Sequence, residues 1–147
     1  MNVFKFICKS VGVVCVPLAF IDGVGSPGFV DGSSMEPTLH GSSREWWKND
    51  VVWQQRWFRE PQEGQIFIFT SPKEPQRVLI KRIVRGPGRP VQWRDQTRFI
   101  VPHNHYWVQA DNPQNASDSQ AFGAVNRGLL IARATRIIWP PSRWQTL

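Results

Sequence analysis

The chain has 147 residues, with 18 basic against 11 acidic side chains and a formal charge of +7. That length fits one domain with a real core, and its 11 glycines and 12 prolines argue for many turns rather than long helices. A basic chain suits nucleic acid, anionic lipid or an acidic partner. The arginines here are scattered, with neither a basic run nor zinc-finger spacing, which speaks against nucleic acid.

Residues 1–21 are largely apolar, with Lys5 and Lys9 ahead of the run Val11 to Ile21. That run falls short of the roughly 20 residues that span a bilayer, and extending it back to Val3 takes in both lysines. It fits a cleaved secretory signal, an amphipathic or buried element, or a retained signal anchor with Lys5 snorkelling to the interface. Cys8 and Cys15 lie inside this stretch, too far apart along a helix to bridge and without a metal-binding pattern. Residues 22–30 then predict a short flexible tether.

From residue 29 onward the pattern is that of strands. Asp50 to Gln54 alternates weakly, and Gln65 to Thr70 is a compact apolar strand closed by Ser71-Pro72. Arg77 to Arg85 predicts a strand ended by the turn Gly86-Pro87-Gly88. Short strands follow at Val91 to Trp93, Phe99 to Val101 and Tyr106 to Gln109, then a long one from Gly128 to Trp139, stopped by Pro140-Pro141. The fold class is all-β, built of many short strands. Residues 40–49 and 110–127 carry little core pattern, and loops of that size are often functional.

Two residues stand out chemically. Ser34 lies on a turn in Asp31-Gly32-Ser33-Ser34-Met35-Glu36-Pro37-Thr38-Leu39, and Lys81 lies inside the apolar strand Val78-Leu79-Ile80-Lys81-Arg82-Ile83-Val84. A serine hydroxyl needs a base to act as a nucleophile near neutral pH. None of His40, His103 and His105 has a supporting pattern. Strand alternation puts Lys81 on one face with Leu79 and Ile83. Desolvation there lowers an amine's pKa towards the range where it accepts a proton. Taken alone, the same lysine also fits an edge strand that resists unwanted pairing. Arg82 faces the other way and needs a carboxylate, for which Asp118 is the favoured candidate.

These segments together resemble the type I signal peptidases. Ser34-Met35-Glu36-Pro37-Thr38 is similar to their nucleophile box, Lys81-Arg82-Ile83-Val84 with Gly86-Pro87-Gly88 to their base box, and Asp111-Asn112 with Asp118-Ser119 and Gly123 to their third box. The tail, from Phe122-Gly123 to Trp139-Pro140-Pro141-Ser142-Arg143-Trp144, resembles the mitochondrial inner-membrane branch of that family.

The resemblance implies a signal-peptidase β-fold in residues 31–147, an N-terminal membrane-anchor helix in 1–21, and a tether in 22–30. It implies Ser34 as nucleophile and Lys81 as general base, with Met35 and Pro37 at the substrate pocket. Arg82, Asp118, Asp111, Asn112 and Ser119 would be orienting residues. The implied activity is a membrane-bound serine endopeptidase that removes hydrophobic sorting signals from proteins delivered to the mitochondrial intermembrane space. It needs no cofactor or metal. Its partners would be a related first subunit, precursor proteins and membrane lipid. The alternative is a non-catalytic, structural subunit of the same complex. Gly32, Ala110 and Ala116 stand where many members carry serine, glycine and serine.

Overall fold

A computed structural model describes residues 25–93, 96–115 and 117–147. The expected anchor at 1–21, the first part of the tether, and Ala116 lie outside the described residues. Among the described residues there are ten strands: β1 Ser26–Phe29, β2 Val51–Gln55, β3 Ile66–Thr70, β4 Val78–Arg85, β5 Pro90–Trp93, β6 Gln96–Ile100, β7 His105–Gln109, β8 Val125–Asn126, β9 Leu130–Trp139 and β10 Gln145–Thr146. One short helix, α1 (Ser119–Phe122), and single turns of 3-10 helix fill the connections. Among the described residues no helix is long and apolar enough to cross a membrane.

The main sheet runs β1-β2-β9-β3-β4-β7-β8, with β10 added to β9 and every pairing antiparallel. β5 and β6 form a separate hairpin. The expected all-β architecture of short antiparallel strands is what the structure contains. β1 falls within the stretch 22–30 that reads as a tether. Its Pro27 and Gly28 look like linker residues in sequence, yet the segment pairs with β2 from Ser26 to Phe29. It is the edge of the sheet, the position where a strand tolerates proline.

β3 shows why this sheet holds. Its residues are buried on both faces: Ile66 and Ile68 enter one core with Val30, Met35, Leu39, Val52 and Ile137. Phe67 and Phe69 enter the other with Leu79, Ile83, Tyr106 and Val108. A central strand covered on both sides loses period-two polarity and reads as a continuous apolar run, as Gln65 to Thr70 does. Burying each such side chain contributes about 1.5–3 kcal/mol. β4 keeps the alternation, with Leu79, Lys81 and Ile83 buried and Val78 and Arg85 exposed.

Candidate active site

The second core presents Lys81 to the loop that carries Ser34. Lys81 shares its strand face with Leu79 and Ile83 and is only 2% exposed. Its Nζ donates to the Ser34 hydroxyl at 2.6 Å and to the Ile80 carbonyl at 2.8 Å. Burial dominates its titration and brings its pKa down from 10.5 to about 8. Asp118 and Asp111 oppose that shift through their negative charge, and Arg77 adds to it.

Ser34 sits in the turn that follows β1. Gly32 enters that turn with φ of +89°, a conformation glycine adopts without a Cβ penalty. Its N–H donates to the Gly41 carbonyl at 2.9 Å, drawing the two ends of the loop together. A Cβ on Gly41 would lie 2.7 Å from the Gly32 oxygen, so this approach requires glycine there. Asn112 holds the turn from the other side. Its backbone N–H donates to the Ser34 carbonyl at 3.0 Å, and its side-chain amide donates to the Ser33 carbonyl at 3.1 Å.

The expected pairing of Arg82 with Asp118 is corrected by the structure. Arg82 forks onto Asp111, with Nε to Oδ1 at 2.9 Å and Nη2 to Oδ2 at 2.6 Å. Register explains the choice: Arg82 pairs with Gln109 across β4 and β7, and Asp111 lies two residues past Gln109. Burial by itself would raise the Asp111 pKa. Hydrogen bonds from Arg82 and Thr38 and the charges of Arg82 and Lys81 outweigh it and hold the carboxyl below its ordinary value. Asp118 instead caps α1, accepting from Gln120 N at 2.9 Å and from Ala110 N at 3.3 Å. Ser119 is fully buried, and its hydroxyl accepts from the Val108 N–H at 2.9 Å. The third box therefore ties three elements together around the serine and the lysine.

A cleft of about 610 Å³ opens over this pair, lined by Phe29, Gly32, Ser34, Leu79, Lys81 and Ser117 among others. Met35 is fully buried in the first core, beside the cleft-lining Val52 and Ile68, and so lies beneath the cleft rather than on its surface. Pro37 is exposed in the turn, with a cis bond from Glu36, and does not line the cleft. The placement of Pro37 at the substrate pocket is therefore corrected: the turn carries it past the cleft.

The family described as signal peptidase, peptidase S26, matches residues 1–100 and 92–139 of this chain. The chain belongs to that family. It is 41% identical to mitochondrial inner membrane protease subunit 2 of Mus musculus over 152 aligned residues, covering 98% of this chain and 85% of that protein. It is 30% identical to subunit 1 of the human protease, covering 95% of this chain and 84% of that one. A signal peptidase I of known structure from Enterococcus faecalis V583 aligns with a TM-score of 0.47 and 22% identity, over 54% of this chain and 100% of that one. As a member of the signal peptidase family and a homologue of subunit 2, the chain is a membrane-associated serine endopeptidase that removes signal sequences. Its place is the mitochondrial inner membrane, with the catalytic domain facing the intermembrane space.

Two residues of this signal peptidase homologue were not singled out by their chemistry in the sequence. Asp50 is fully buried, and Arg143 donates to both of its carboxylate oxygens, at 2.9 and 3.1 Å. Arg143 also donates to the Thr38 carbonyl at 3.1 Å, and Asp50 accepts from the His40 N–H at 2.8 Å. The C-terminal Pro140-Pro141-Ser142-Arg143 segment thus braces the far end of the nucleophile turn. The available signal was the single arginine after a double proline, which gave no hint of its partner.

Proposed function

We propose that Ser34 is the nucleophile and Lys81 the general base of this peptidase, and that the chain cleaves hydrophobic sorting signals from proteins delivered to the intermembrane space. The observation that carries the reading is the 2.6 Å contact between a half-buried serine and a buried lysine whose pKa is about 8. At that value a usable fraction of the amine is neutral near physiological pH, and neutral amine accepts the Ser34 proton.

The reaction then follows from the geometry. Ser34 Oγ attacks the scissile carbonyl as its proton passes to Lys81 Nζ, and the charge developing on the carbonyl oxygen is met by the Ser34 backbone N–H. The tetrahedral adduct collapses, Lys81 returns the proton to the leaving amine, and an acyl-enzyme on Ser34 remains. Neutral Lys81 next takes a proton from water as the water attacks the ester, and gives that proton to Ser34 Oγ as the acyl–oxygen bond breaks, which frees Ser34 and leaves Lys81 neutral. The contact from Lys81 to the Ile80 carbonyl fixes the amine's direction through this cycle.

The substrate lies extended along β4. That strand pairs with β7 only from Arg82 onward, so among the described residues the edge from Val78 to Lys81 faces the cleft. A peptide added there gains backbone hydrogen bonds and delivers its carbonyl to Ser34. Small residues are expected just before the cut.

In this reading residues 1–21 anchor the chain in the membrane, residues 22–25 lead into the catalytic domain, and a related subunit 1 is the partner. Likeness to both protease subunits supports the pairing.

The test is processing of a presequence substrate by the full chain together with its partner subunit. Ser34→Ala and Lys81→Arg are each expected to lower kcat by roughly 10⁴-fold, the latter because a guanidinium does not deprotonate. An acyl-enzyme trapped at Ser34 in the wild type supports catalysis. Undiminished cleavage by Ser34→Ala sinks the reading in favour of a structural subunit.

A further inference from the structure

A second cleft, of about 530 Å³, lies apart from the catalytic one and shares none of its lining residues. Its walls include Trp57, Phe58, Arg59, Glu60, Gln65 and Arg133. We propose that this cleft binds a phosphate group carried by a monoester or diester.

Arg133 carries the argument. Its strand is paired on both sides, to Gln55 of β2 and to Phe67 of β3, so its backbone is fixed in the sheet. Its Nε is buried and has no hydrogen-bond partner among the described residues. A buried N–H left unbonded is unfavourable, and a bound acceptor removes that penalty. Glu60, in the same cleft, is engaged elsewhere: the Tyr106 hydroxyl donates to it, and Arg127 lies 3.6 Å from its other oxygen. Arg59 brings a second guanidinium to the same walls.

Two guanidiniums on one cleft favour phosphate over carboxylate. A single fork satisfies both oxygens of a planar carboxylate, whereas a tetrahedral phosphate has further oxygens for a second cation. Trp57 is 72% exposed and gives the organic part of an ester a flat apolar surface. The site is insulated from the catalytic pair. Phe67 pairs with Lys81 across one edge of β3 and with Arg133 across the other, and Phe58 packs edge-on against it at 4.9 Å. Lys81 and Arg133 are thus two strand spacings apart, about 10 Å, with an aromatic wall between them.

The experiment uses the full chain in detergent, with its arginines labelled for NMR. It is titrated with inorganic phosphate, with a short-chain phosphatidylglycerol, and with acetate. The expected result is one arginine Nε–H resonance that shifts saturably and is absent from Arg133→Gln. Arg133→Lys and Arg59→Gln should each weaken binding by roughly tenfold, and they keep the test decisive where Arg133→Gln fails to fold. Acyl-enzyme formation at Ser34 should stay unchanged in all three variants. Saturation by phosphatidylglycerol at the lower concentration assigns a lipid headgroup; saturation by inorganic phosphate at the lower concentration assigns a soluble phosphate compound. Failure of both to saturate, equal binding of acetate, or binding unaltered in Arg133→Lys and Arg59→Gln overturns the proposal.

Discussion

Arg82 and Asp111 form a two-bond fork at 2.9 and 2.6 Å that joins the strand bearing Lys81 to the loop bearing Asn112. Because Asn112 in turn holds the carbonyls of Ser33 and Ser34, the fork sets the spacing between nucleophile and base. Asp111→Ala should cost about 2–4 kcal/mol by leaving a partly buried guanidinium unpaired. It should also lower kcat more than KM is changed. Chemical denaturation and steady-state kinetics on the same variant check both.

The same pair makes the fold acid-sensitive in a defined window. The folded-state pKa of Asp111 lies below its ordinary 3.8. Its contribution is therefore fully present above 3.8 and lost as pH falls through the lower folded value. Acid unfolding of Asp111→Asn should lack that component, so the stability difference from wild type should shrink as pH falls below 3.8. A difference constant down to the lowest pH measured would contradict this.

Lys81 sets the pH dependence of the reaction. With a pKa of about 8, kcat/KM should rise with pH and level off above that value. Asp118 is the main charge holding the pKa up and Arg77 the charge pushing it down. Asp118→Asn should move the midpoint to lower pH and Arg77→Gln to higher pH. A pH-rate profile of each variant reads the sign directly, and movement in the same direction in both would refute the electrostatic account.

Burying Lys81 also destabilises the fold at neutral pH. Its folded pKa is below the unfolded value of 10.5, so between about 8 and 10.5 the unfolded chain binds more protons and stability rises with pH. The full span is roughly 3 kcal/mol. Lys81→Met should be more stable than wild type near pH 7, with the gap closing above pH 10.5. Denaturant midpoints at several pH values measure it.

Arg143 and Asp50 provide a test away from the reacting atoms. Arg143→Ala leaves a fully buried carboxylate without its cation and should cost about 3–5 kcal/mol. Arg143→Lys should recover only part of this, since lysine cannot fork onto both oxygens. The loss of the bond to the Thr38 carbonyl should loosen the nucleophile turn, seen as faster amide hydrogen exchange at residues 35–40.

Much of the framework was legible in the chain itself. β3, β4 and β7 were marked by apolar or alternating runs bounded by turn residues, and each of these three differs from its expected span by one residue at its start, whereas β6 begins three residues before its expected start and β9 two residues after. β1, β8 and β10 were not legible. They are two residues long or carry Pro and Gly, too little for a two-residue period to show, and their strand pairing is with β2, β7 and β9. The pairing of Arg82 was misread for a related reason. Separation along the chain does not choose between the two aspartates as partner of Arg82, while strand register favours Asp111.

The sequence by itself determined the all-β class, the alternation that buries Lys81, and the two chemical groups required for serine–lysine chemistry. These depend on local residue type and on a two-residue period, both readable along the chain. Only the tertiary structure decided which groups meet. The 2.6 Å contact between Ser34 and Lys81, the choice of Asp111 over Asp118, and the clasp of Asp50 by Arg143 all join residues far apart in sequence. Such contacts are fixed by strand order and register, which no single segment encodes.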